Sequence, residues 1–154
     1  MQKIIIADTS CLILLQKINQ LELLNHLFGE ILITSTIAAE YGKALPEWIK
    51  VKNPINLHYQ QIIGTIVDAG EASVIALAIE QESSLIILDD LKARKLAYEL
   101  NLFYTGTLGI LIDAKLSGKL SSIKPILNKI KLTNFHLPVE LENKILEKAG
   151  ESKT

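Results

Sequence analysis

Short, unbroken aliphatic runs alternate with stretches of helical spacing along this chain. Ile4-Ile5-Ile6-Ala7, Ile31-Leu32-Ile33 and Leu85-Ile86-Ile87-Leu88 contain no polar residue, the signature of parallel strands buried on both faces. They predict strands over residues 3–7, 30–33 and 85–88, with shorter ones at 48–51 and 102–104. Between them, apolar residues recur every three or four positions and predict helices. The first runs over 10–18 with Thr9 or Ser10 as its cap, and the second over 20–28, closed by Gly29. Thr34-Ser35-Thr36 caps a third that runs to Leu45, where Pro46 stops it. Further helices fall at 69–82, 91–100, 108–116, 123–132 and 139–148. The pattern is weakest over 53–68, where a helix at 58–67 is interrupted by Gly64. No two strands are joined by a two-residue hairpin signal. The alternation predicts an α/β fold, a parallel sheet of four or five strands with helices on both faces.

Length and composition narrow the class. The 154 residues suit one domain over 1–150 with a tail frayed at 151–154. Hydrophobic residues make up 49% of the chain, which points to surface covered by a partner. No apolar run approaches the ~18 residues of a membrane span, and Met1-Gln2-Lys3 leads directly into a strand with no signal-peptide pattern. The expected compartment is the cytoplasm. Cys11 is the single cysteine, so an internal disulfide is excluded. His26, His58 and His136 lack zinc-ligand spacing. The net charge of −1 means that any nucleic acid must be drawn by a local patch and a bound metal rather than by overall charge.

The chemistry lies in the acids. Asp8 ends the first strand, and Asp89-Asp90 end the fourth. Open α/β sheets place their sites past the carboxyl ends of such strands, and packed carboxylates repel unless a cation joins them. Asp8 can also be read as a helix cap. Of the adjacent pair, one acid can cap the next helix while the other binds an ion, and Asp90 is the preferred ligand. Glu40 borders the apolar stripe of its helix, where a snorkelling charge is the competing reading. Glu71 points into the arc of Ala72, Ala76 and Ile79, where a buried acid needs a partner. Its alternative role is to complement the helix dipole. Arg94 stands one turn from Asp90, able to pair with it or to hold a phosphate. Thr105-Gly106-Thr107-Leu108-Gly109 opens a helix, either as a plain cap or as a phosphate seat. It lacks the Lys-Ser/Thr pair of a P-loop, and no GxGxxG occurs.

Taken in order, Ile6-Ala7-Asp8-Thr9-Ser10, Glu40, Gly70-Glu71-Ala72-Ser73, Leu88-Asp89-Asp90 with Ala93-Arg94, and Gly106-Thr107-Leu108-Gly109 resemble the PIN-domain superfamily, and within it a prokaryotic nucleic-acid-binding branch that includes toxin ribonucleases. The resemblance covers residues 3–118 and leaves a helical extension at 121–150. It implies a three-layer α/β/α fold and an acid cluster that holds Mg²⁺ or Mn²⁺ and hydrolyses RNA. Many prokaryotic members are toxins held by a small antitoxin protein. Asp8, Glu40, Glu71 and Asp90 match the catalytic, metal-binding acids. Glu71 stands where many members have Asp, which keeps a carboxylate and lengthens its reach. Asp89 stands where many have Asn and is a further candidate ligand. Thr9 and Ser10 match the small hydroxyl positions beside the first acid; with Arg94 and Thr107 they are the candidate nucleic-acid contacts.

Two readings follow. One is a metal-dependent endoribonuclease acting as a toxin. The other is an inactive module that binds nucleic acid or a protein partner. A phosphoacceptor receiver domain fits less well, because its acid pair follows the first strand. The last two helices, with Ile126, Leu127 and Ile130 in one and Ile145 and Leu146 in the other, present either a surface for a homodimer or antitoxin or a cover for the sheet.

Overall fold

The computed structural model describes residues 3–151. Five strands form one parallel sheet: β1 (Ile4–Ala7), β2 (Ile31–Ile33), β3 (Ile49–Val51), β4 (Ser84–Ile87) and β5 (Phe103–Thr105), in the order β3-β2-β1-β4-β5. Helices cover both faces in an α/β/α arrangement. The three central strands are largely aliphatic because they form the core: Ile6, Ile31, Ile33, Ile86 and Ile87 are fully buried. β1 is central, with Ile6 paired to Leu32 on one side and to Ile86 on the other. From β1 the chain moves outward to β2 and β3, then returns to the opposite side of β1 as β4. That reversal opens a crevice beyond the carboxyl ends of β1 and β4.

The helices are α1 (Thr9–Lys17), α2 (Glu22–Phe28), α3 (Ser35–Tyr41), α4 (Leu57–Ile63), α5 (Ala69–Glu80), α6 (Leu91–Glu99), α7 (Thr107–Leu116), α8 (Lys124–Ile130) and α9 (Val139–Lys148). Their ends correct the sequence reading in several places. Neither Thr9 nor Ser10 caps α1; Asp8 occupies that position. α3 stops at Tyr41 because Gly42 turns left-handed at φ +70, ahead of Pro46. α4 starts at Leu57, where the Asn56 side chain accepts from the His58 and Tyr59 amides, and ends before Gly64 instead of running on to residue 67.

The C-terminal helices belong to the body of the protein. Ile126, Leu127, Ile130, Ile145 and Leu146 are all buried in the core. They therefore cannot form the self-association or antitoxin surface that their spacing allowed. Glu142 on α9 accepts from Lys124 and Lys131, which holds its carboxyl below the usual range. Glu151, assigned above to a frayed tail, is anchored by the Ser122 hydroxyl and the Ile123 amide. The rest of that tail lies outside the described residues. Among the described residues no helix is long and apolar enough to cross a membrane.

Candidate functional site

Ala7 pairs with Ile87 in register, so the residues that follow emerge at one edge of the sheet. Asp8 comes from β1, and Asp89 and Asp90 from just past β4. They line a cleft of about 500 Å³ together with Thr9, Ser10, Glu40, Asp68 and Glu71. The cleft thus gathers the four principal acids, Asp89 and both hydroxyl residues singled out from the sequence. It also contains Asp68, which the sequence reading missed. Asp68-Ala69-Gly70-Glu71 is a D-x-x-E capping box, and that spacing was the available signal.

The acids differ in what already holds them. Asp8 sits at the cap position of α1 in extended backbone, yet its side chain makes no capping hydrogen bond. It is buried, at 6% exposure. Glu40 is exposed on α3, and its Oε1 accepts from the Thr9 hydroxyl. Asp68 Oδ1 accepts from the Glu71 amide at 2.8 Å, and Glu71 Oε1 accepts in return from the Asp68 amide at 3.3 Å. That return bond is the partner the buried Glu71 required.

Asp89 and Asp90 do not divide their work as expected. Asp90 Oδ2 caps α6 by accepting from the Ala93 amide at 2.9 Å, so the preferred ligand is itself the cap. Asp89 has both oxygens engaged by one residue, accepting from the Thr107 amide at 2.8 Å and from its hydroxyl at 2.6 Å. Thr107 is fully buried. It fastens α7 to the end of β4 and has no donor left for a phosphate, which corrects its assignment as a nucleic-acid contact. Arg94 lies outside the acidic cleft, stacked with its Cζ 5.1 Å from the Tyr104 ring centroid.

Two features bring the acids of α3 and α5 to the same cleft. Thr34, the cap of α3, and Ser73 in α5 share a buried 2.7 Å hydrogen bond. Gly70 lets the Glu40 carboxylate lie against the start of α5: a Cβ there would fall 2.6 and 2.7 Å from its two oxygens.

Burial, with neighbouring charges adding to it, raises the proton affinity of Asp8 and Glu71. Burial pushes the Asp8 carboxyl up to about 7; the Thr9 amide opposes this, and the charges of Glu71, Asp68 and Glu40 add to it. Glu71 is raised as well, first by burial. Carboxylates this close repel unless a cation joins them, and an all-oxygen set suits Mg²⁺ or Mn²⁺. Among the described residues no three His, Cys, Asp or Glu side chains are preset around one ion position. Mg²⁺ usually keeps several waters and is bound through one or two carboxylates plus substrate oxygens. An all-oxygen donor set of this kind suits a hydrated ion held through one or two carboxylates.

Comparison with known proteins agrees with this architecture. A family model described as a PIN domain matches residues 4–151, a span that takes in α8 and α9. No curated protein matches the chain.

Proposed function

The chain belongs to the PIN-domain family, and on that premise we propose that it is a metal-dependent endoribonuclease. PIN domains are a nuclease-type fold that typically works with divalent metal ions. The observation that carries the proposal is the cleft itself, with six carboxylates, of Asp8, Glu40, Asp68, Glu71, Asp89 and Asp90, at one sheet edge.

Asp8, Glu40, Glu71 and Asp90 would hold Mg²⁺ or Mn²⁺. When bound, such an ion polarises the scissile phosphate and makes a water acidic enough to attack. The chain's own residues prepare the site. Thr9 orients Glu40 through its hydroxyl. The capping box fixes Glu71. Thr107 fixes Asp89, and with it the turn that carries Asp90. Burial raises the Asp8 carboxyl to about 7, so it holds a proton far more readily than an ordinary aspartate, and that proton must leave before the carboxylate can serve as a ligand. The resemblance to toxin ribonucleases supports a cytoplasmic role with a small antitoxin as partner.

A second reading, an inactive nucleic-acid-binding module, is favoured by the lack of a preset ion position among the described residues. Incubation of the protein with a single-stranded RNA in Mg²⁺, Mn²⁺ or EDTA separates the two. The ribonuclease reading expects cleavage with either metal and none in EDTA. Full activity in EDTA overturns it, and RNA binding without cleavage in any metal moves the assignment to the second reading.

A further inference from the structure

Beside the acidic cleft lies a second groove of about 420 Å³ between α7 and α9. The two share Asp89 as a lining residue, so they are neighbours across the end of β4. The groove has a different chemistry. Arg94, Lys144 and Lys148 line it, with Phe135, Leu108 and Ile112 as apolar wall. Leu141, Lys144, Ile145 and Lys148 follow three- and four-residue spacing on α9, which places both lysines on the face turned to α7. Lys144 and Lys148 are exposed.

Among the described residues none of these three cations takes part in an ion pair. Among the described residues Asp89 is the single acid lining the groove, and Thr107 already engages both its oxygens. Tyr104 supports the Arg94 guanidinium from one side. Gly106 keeps the floor low beneath it, since a Cβ there would lie 2.9 Å from both Arg94 Nη1 and Asp89 Oδ1.

We propose that this groove carries single-stranded RNA to the acidic cleft, with Lys144, Lys148 and Arg94 holding backbone phosphates and Phe135 offering a face to a base. The inference rests on the nuclease reading and extends it to the C-terminal helix. A sequence-tolerant single-strand site needs a cationic track together with an aromatic platform. An apolar peptide would need the wall but not three cations beside it. The groove also resolves the charge problem of a chain with net charge −1, because it puts local positive charge next to the acids.

The test is fluorescence anisotropy with a labelled single-stranded oligoribonucleotide, using the full chain with Asp8→Asn to prevent cleavage. Salt is varied at constant Mg²⁺. Lys144→Ala with Lys148→Ala should weaken binding about tenfold and flatten the plot of log affinity against log salt by about 1.4, the slope of two single-strand phosphate contacts. Phe135→Leu, which keeps an apolar side chain in place, should weaken binding several-fold and leave the slope unchanged. Lys50→Ala on β3, at the far edge of the sheet, should change neither. If the parent binds RNA and the lysine pair alters neither affinity nor slope, the groove proposal fails alone. If the parent binds no RNA and the wild-type chain cleaves none, the nuclease reading fails and the groove proposal with it.

Discussion

Asp8 is buried at the cap position of α1 without making a capping hydrogen bond, and its titration has a definite sign. Its folded pKa of about 7 lies above the ordinary 3.8. Below about pH 4 the carboxyl is protonated in folded and unfolded chains alike, and it adds no penalty. As pH rises from 4 through 7 the unfolded chain releases the proton first, so the fold loses stability. Above 7 the full penalty applies, on the order of a few kcal/mol. Asp8→Asn should therefore raise the Tm in EDTA by several degrees at pH 8, with the gain shrinking towards pH 4. Thermal melts across that range check it. Gly70 separates activity from stability in the same direction. In Gly70→Ala the new methyl displaces the Glu40 carboxylate, the free end of a flexible and exposed side chain. Stability should stay level or rise by up to about 1 kcal/mol from helix propensity, while metal-dependent cleavage falls about tenfold or more. Melts and cleavage rates on one preparation read both. At this scale the acids were legible because strand ends and helix stripes are visible in sequence. The commitments of Thr107 and Asp68 were not, since they depend on which loop meets which.

The elements matter through how they hold one another. The buried Thr34–Ser73 hydrogen bond joins the starts of α3 and α5, the two helices that bring Glu40 and Glu71 to the cleft. Ser73→Ala leaves the Thr34 hydroxyl without that partner, and should cost about 1–3 kcal/mol, or a Tm lower by several degrees, with cleavage reduced as well. Melts in EDTA and cleavage below the melting range distinguish the two effects. The three central strands were readable because a sheet covered on both faces favours aliphatics there, whereas the edge strands β3 and β5 carry exposed residues. Ends of helices were read less well where a backbone turn competed with a stronger signal. Pro46 drew attention from Gly42, and the two hydroxyls after Asp8 drew the cap of α1 away from the acid. In fact the Thr9 hydroxyl turns to Glu40, across 31 residues of sequence, a contact that no local pattern encodes.

For the whole molecule, the helices beyond residue 118 are the decisive extension. Sequence motifs ended there, but the family match runs to residue 151 and the core does not stop at α7. Ile126, Leu127, Ile130, Ile145 and Leu146 are each at most 6% exposed. Burying one such side chain is worth about 1.5–3 kcal/mol, so five rival the whole net stability of a domain, about 5–15 kcal/mol. A chain cut after residue 120 should fail to give a cooperative melt by circular dichroism. A truncated chain that melts as the full one does would make α8 and α9 an accessory. Together these parts assemble one claim: acids from β1, α3, α5 and the end of β4 act as a single metal-dependent site on RNA. The most direct measurement is single-turnover cleavage of a single-stranded RNA in Mn²⁺ by the wild-type chain and by Asp8→Asn, with melts of both in EDTA. The account predicts a loss of at least about a hundredfold in rate for Asp8→Asn, alongside an equal or higher Tm. Cleavage by Asp8→Asn at the wild-type rate would contradict it.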